Sequence, residues 1–275
     1  MEGGDAPRFA STTARLAALF SGDGVTKLSR EQRAGVTALL EQALDDVVGI
    51  VGPGMFVEVG AFDAAFSRRM KARYSDVRCV ALEANPRVFD RFQDEVRATG
   101  VDYVHFAASA ESGNISFFIP EVIAGRDWPH ISRIGSLNLI SAKNSTMAEV
   151  TVPAIALDDL LVPTPADHIC MWIDVEGAMD KVLDGASRTL ERTVLIYCEI
   201  EERQMWKDQL LASEVLARLE KAGFVMVGRD FQTPIQFNSL LMRTDLSVAD
   251  SVLSRIEVYV DAAEDAVRSL TTRQD

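Results

Sequence analysis

Acidic residues stand at the ends of successive apolar runs: Glu58 in MFVEV, Glu83 in VALE, Asp174 and Glu176 in WIDVEG, and Glu199 in VLIYCE. Carboxylates in such places accept from hydroxyls, hold a cationic ligand, take up a proton or coordinate a hard cation. Within MFVEVGAFDAAFS the one glycine is Gly60, two residues past Glu58. A dinucleotide turn asks for G-x-G-x-x-G, but Phe62, Ala64 and Ala65 occupy the neighbouring positions. With an acid and few bare amides, this turn is poorly built for a pyrophosphate. It suits a neutral or cationic ligand such as a nucleoside carrying an amino acid. Glu83 follows Gly60 at about the 20-residue separation of the acid that accepts from ribose hydroxyls.

Two routes could remove a proton from an acceptor. Histidines are few. His105 and His168 fall inside strand patterns and read as structural. His130 lies in Trp128-Pro129-His130, within a Gly-, Pro-, Ser- and Asn-rich segment at 121–145, and is the candidate base. A segment of that length reads as a lid or wall of an acceptor pocket. The second route uses Asp174, Glu176 and Glu199 to hold a magnesium ion. It is the less favoured of the two, because these acids have work in positioning a cationic ligand, and no metal site is assigned.

The elements that position these groups follow from the pattern of apolar residues. Residues 1–7 read as disordered, and helices are expected at 8–20 and 30–48, the second capped by Ser29. Gly52-Pro53-Gly54 breaks the chain before a strand at 55–59. Helix-forming and strand-like runs then alternate. Strands are expected at 77–83, 102–108, 113–120, 149–155, 168–174 and 194–199, helices after Gly60, from Pro86 to about Gly100, at 178–190 and at 213–222. A hairpin-like pair at 224–227 and 237–242 closes the sheet. A last helix at 245–270 carries Val252, Ile256, Tyr259, Ala263, Val267 and Leu270 at three-to-four spacing. That stripe asks to be buried, within its own domain or across a two-fold axis, so a homodimer through this helix is expected.

Composition excludes several classes. The 275 residues carry a net charge of −13, which repels polyanions; nucleic acid and anionic membranes are not expected partners. Apolar residues make up 48%, enough for a sizeable core, yet none of the runs is long enough to span a bilayer. Cys79, Cys170 and Cys198 all lie in apolar strand-like runs and read as buried free thiols. With no signal-peptide pattern at the N-terminus, a cytoplasmic location is expected.

In order and spacing, VEVGAFDAAFS, VALEANP, VPAIALDDLL and WIDVEGAMDKVLDGA resemble the signature of the FkbM family of S-adenosylmethionine-dependent methyltransferases. The resemblance covers about residues 56–243. It implies an α/β, class I (Rossmann-like) methyltransferase fold: a seven-stranded, mostly parallel sheet with helices on both faces and an antiparallel last strand. The domain would occupy 51–244, with helical extensions at 1–50 and 245–275. It further implies methyl transfer to oxygen, on a hydroxyl of a small molecule, sugar or secondary metabolite, with S-adenosyl-L-methionine as cofactor.

By position, the resemblance assigns Glu58, Gly60 and Ala61 to the methionine end of the cofactor. Glu83 would hold the ribose, with Ala84 and Asn85 beside it, and Ala107, Ala108 and Ser109 would border the adenine. Asp174 and Glu176 would sit at the transfer site, Asp174 also touching the cofactor. The family's turn usually has Asn and then Gly where this chain has Phe62 and Ala64. The alternative function is a non-catalytic protein of the same fold that binds S-adenosylmethionine or a nucleoside.

Overall fold

The computed structural model describes residues 5–21, 28–161, 168–233, 235–247 and 249–268. In chain order the first elements are α1 (Asp5–Ser21), α2 (Arg30–Val51), β1 (Met55–Val59), α3 (Ala65–Arg73), β2 (Arg78–Glu83), α4 (Pro86–Arg97), β3 (Asp102–His105) and β4 (Ala107–Ala108). Then come β5 (Gly113–Ile123), β6 (Arg126–Asp127), β7 (Thr146–Ile155), α5 (Leu157–Leu160), β8 (Ile169–Ile173), α6 (Met179–Asp184), α7 (Ser187–Arg192) and β9 (Thr193–Glu201). The remainder is α8 (Ala212–Lys221), β10 (Phe224–Arg229), β11 (Gln236–Arg243), α9 (Thr244–Ser247) and α10 (Asp250–Arg268).

Seven strands form a mostly parallel sheet in the order β10-β11-β9-β8-β1-β2-β3, and a second sheet has the order β4-β7-β5-β6. The antiparallel partner expected at the end of the chain is present: β11 runs antiparallel to β10 and lies between it and β9. By compactness the chain divides into two units. One takes the residues up to Gly52, Val194–Ile200 and those from Leu216 onward; the other takes Pro53–Thr193 and Glu201–Val215. The helices read as separate extensions thus share one unit with the β10–β11 hairpin.

In the Pro53–Thr193 unit, β1 pairs in parallel with both β2 and β8, so Val57 sits beside Val80 and Met171. Every residue of β1 and β8 is buried, which is why their sequences are continuous apolar runs without alternation. α4 starts as its sequence says: Asn85 accepts from the Arg87 N–H at 3.0 Å and Pro86 takes the first turn. The run at 102–108 is not one strand. It leaves the main sheet at Phe106, and Ala107 and Ala108 pair instead with Ala154 and Ile155 of β7. β5 and β7 form a hairpin longer than their apolar cores, and β6 pairs with the end of β5, so the segment at 121–145 is partly strand. The expected helix at 178–190 is two short helices broken at Gly185, where a Cβ would lie 2.0 Å from the carbonyl oxygen of Ser109.

In the other unit, Ser29 and Gln32 close a reciprocal capping box on α2 and Gly52 ends the helix at φ +57°. Residues 5–7, read as disordered, belong to α1, and residues 1–4 lie outside the described ones. The closing helix is two, α9 and α10, and its last two expected residues lie outside the described ones. Val252, Ile256, Tyr259 and Ala263 are buried against α1 and α2. Arg8 and Arg15 of α1 pair with Glu257 and Glu264 across that contact. The stripe that suggested a dimer is thus covered within its own unit.

Candidate active site

The site grows from the carboxyl ends of β1, β2 and β8. Gly60 follows β1 with φ +79°, and its N–H and that of Ala61 both donate to the Leu82 carbonyl, at 3.0 and 2.9 Å. From the other side the Asp174 N–H donates to Val59 O at 2.9 Å. The backbones approach so closely that a Cβ on Gly60 would lie 1.7 Å from the Asp174 carbonyl oxygen. Only glycine fits a place that combines a left-handed φ with such contact.

The turn continues through two more left-handed residues, Phe62 at φ +49° and Ala64 at φ +52°. Asn and Gly, usual at these positions in the family the sequence resembles, adopt that conformation at lower cost than Phe and Ala. Two carboxylates pin the strained turn. Glu83 accepts from the Phe62 N–H at 2.8 Å with one oxygen and from the Asn85 N–H at 2.6 Å with the other. Glu58 accepts from the Ser67 N–H at 2.7 Å, in the first turn of α3. Ala64 at the N-cap has no side-chain oxygen to offer, so the buried Glu58 satisfies an orphan donor there. Burial lifts both acids to about 7, against the lowering effect of their N–H donors.

A cleft of about 650 Å³, counting its open mouth, lies above these strand ends. Gly60, Glu83, Ala84 and Asn85 form one wall; Phe106, Ala107, Ala108 and Phe117 form an apolar one. Asp174, Val175 and Ala178 close the β8 side, and Ser132, Arg133, Gly135 and Leu137 reach in from the 121–145 segment. That segment is fastened to the turn after β8. Ser136 donates to Glu176 O at 2.6 Å, Asn138 to Gly177 O at 2.8 Å, and Lys181 to Asn138 at 2.7 Å. The Arg133 guanidinium lies 4.7 Å from the centre of the Phe62 ring.

Of the residues singled out in the sequence, Gly60, Glu83, Ala84, Asn85, Ala107, Ala108 and Asp174 line the cleft together. Glu58, Ala61 and Ser109 are buried behind it: Glu58 turns to α3, Ala61 donates to Leu82, and Ser109 donates its N–H to Ile155. The His130 side chain is exposed and outside the lining; its carbonyl accepts from the Asn85 side chain at 3.2 Å. Glu176, at φ +50°, also lies outside the lining, on the turn next to Asp174. Glu199 belongs to the other unit, where it accepts from Gln236. Phe106, Phe117 and Arg133 are lining residues that carry no motif. Only the unusual length of the 121–145 segment hinted at the last.

The acids beside the β8 turn are pushed up. Burial raises Asp174 to about 6, and the nearby Arg133 cation pulls the other way. Glu176 is held well above the carboxylate range, by burial first and then by Asp174 and Glu201. Glu201 rises to about 7, by burial first and then by Asp174. A carboxyl near 6 in a cleft is poised to take a proton near neutral pH.

Residues 56–226 match the Methyltransferase FkbM domain. The chain belongs to the FkbM methyltransferase family. As an FkbM protein it is an S-adenosylmethionine-dependent methyltransferase. The solved structures to which this FkbM chain is similar are distant from it in sequence. One is the precorrin-6y C5,15-methyltransferase from Geobacter metallireducens, 13% identical, with a TM-score of 0.37 over 69% of this chain and 79% of the other. EvdMO1 is 14% identical, with a TM-score of 0.41 over 74% of this chain and 40% of its own. LepI in complex with S-adenosylmethionine is 9% identical, with a TM-score of 0.37 over 69% and 43%. The FkbM chain thus spans less than half the length of those last two. No curated protein matches it. Among the described residues, no helix is long and apolar enough to cross a membrane.

Proposed function

We propose that the protein methylates a hydroxyl oxygen of a small molecule, sugar or secondary metabolite in this cleft, without a metal. The observation that carries the reading is Asp174: a carboxyl that lines the cleft, at the β8 edge of the Gly60 turn, with its proton affinity raised to about 6. A sulfonium methyl donor leaves as a neutral thioether, so no acid is needed; a hydroxyl acceptor must lose a proton, and a base near the working pH serves best.

The cofactor fits the donor set present. Glu83 spends one lone pair of each oxygen on Asn85 and Phe62 and keeps capacity for two ribose hydroxyls. The apolar wall of Ala107, Ala108 and Phe117 suits a purine face. When bound there, S-adenosylmethionine supplies the methyl group. The chain's residues do the rest: Gly60 and Ala84 leave room, the 135–138 strap narrows the mouth and limits water, and Asp174 takes the proton. Glu58 and Ser109 act behind the lining, through the turn and through β4. The Arg133 charge already acts on Asp174, which disfavours a divalent ion at that carboxyl.

Turnover of two variants tests the base. Asp174→Asn should cut it by about 10²–10⁴, the range for a lost general base, while His130→Ala, exposed and outside the lining, should leave it nearly unchanged. The reverse pattern would move the base to His130.

A further inference from the structure

We infer that Arg133 is the recognition group for the carboxylate of the cofactor's amino-acid tail. The inference rests on the reading that this cleft holds S-adenosylmethionine. Arg133 is the one lysine or arginine among the described residues that line the cleft. Its guanidinium carbon lies over the Phe62 ring, 4.7 Å from the ring centre and within cation–π range, and Phe62 belongs to the turn that Glu83 pins. Among the described residues the only acid paired with it is Asp63, at 3.9 Å, too far for a hydrogen bond. One oxygen of that Asp63 is buried and unpartnered, so the pair is not closed. A planar fork of donors, held in place by an aromatic ring and committed to no acceptor among the described residues, stands ready for a bidentate anion.

Which anion follows from the rest of the cleft. Glu83 marks the ribose position and the alanine–phenylalanine wall marks the base, so the tail of the ligand points toward Gly60, Asp174 and Arg133. An amino-acid tail is a zwitterion. Its carboxylate, entering a cleft that already holds Glu83 and Asp174, would be repelled unless a cation received it. Arg133 stands where it can do so, and Asp174 feels that charge already. The same guanidinium could instead meet an acidic acceptor, and the choice of probes separates the two.

Calorimetric titration with S-adenosylhomocysteine and with 5′-methylthioadenosine, which lacks the amino-acid carboxylate, tests the assignment on the full chain. Arg133→Met should weaken S-adenosylhomocysteine by about tenfold or more and leave 5′-methylthioadenosine within about twofold, as loss of a charged hydrogen-bonding partner predicts. Arg133→Lys keeps the charge but not the fork, and should recover part of the loss. Unchanged affinity for S-adenosylhomocysteine in Arg133→Met overturns the assignment. So does an equal loss for both probes, which would place Arg133 under the nucleoside and not the tail. If the unmodified protein fails to bind S-adenosylhomocysteine at all, the cofactor reading of the cleft falls first, and the inference with it.

Discussion

Gly60 and Asp174 touch through their backbones: a Cβ built on Gly60 would sit 1.7 Å from the Asp174 carbonyl oxygen. The end of β1 and the end of β8 are thereby locked together, and both line the cleft.

Gly60→Ala should therefore abolish cofactor binding and lower the melting temperature, since it adds a backbone collision to a left-handed φ. Ala64→Gly, four residues on and also left-handed, should act in the opposite direction and stabilise by about 1 kcal/mol. Thermal unfolding of the two variants, with titration of S-adenosylmethionine, checks both signs.

Glu83 is expected to matter twice, as a pin for Phe62 and as an acceptor for ribose. Glu83→Ala should weaken S-adenosylmethionine by about 1.5–3 kcal/mol, the range for a hydrogen bond to a charged group. Calorimetry with circular dichroism as the folding control reads it. Full affinity in a folded variant would remove the ribose assignment.

Much of this was legible in the sequence, and for physical reasons. Parallel strands buried on both faces must be apolar throughout, so β1, β2, β8 and β9 announced themselves, and a lone glycine followed by an acid one strand later marked Gly60 and Glu83. The same burial hid the role of Glu58. On a strand covered on both sides, nothing in the pattern says which element receives a side chain, and Glu58 caps α3 behind the cleft lining. The break at Phe106 was invisible because Ala107 and Ala108 are as strand-like in one sheet as in the other. Arg133 carried no signal beyond the length of its segment: its position depends on the β5–β7 hairpin, whose pairing runs from Gly113 with Ala154 to Val122 with Thr146.

Ligand-free stability should fall as pH rises from about 4.5 through about 7. Glu58 and Glu83 hold their protons up to about 7 in the folded chain, above the unfolded carboxylate value, so the folded state binds more protons across that window and loses stability as they leave. Glu58→Gln keeps an acceptor for the Ser67 N–H without the buried charge. It should flatten the slope and be more stable than the parent at pH 8, on the order of 1–3 kcal/mol. Denaturant unfolding at pH 5 and pH 8 measures it; a parent more stable at pH 8 would contradict the assignment.

The location of the transferred methyl group tests the central claim most directly. The protein is incubated with methyl-labelled S-adenosylmethionine, excess EDTA and a panel of sugar, polyol and polyketide hydroxyl acceptors alongside amine acceptors, and the label is placed by mass spectrometry and NMR. The account predicts label on an ether oxygen, formed in the presence of EDTA, because Asp174 takes the hydroxyl proton unaided. Label on nitrogen or carbon, or transfer that EDTA abolishes and magnesium restores, would contradict it.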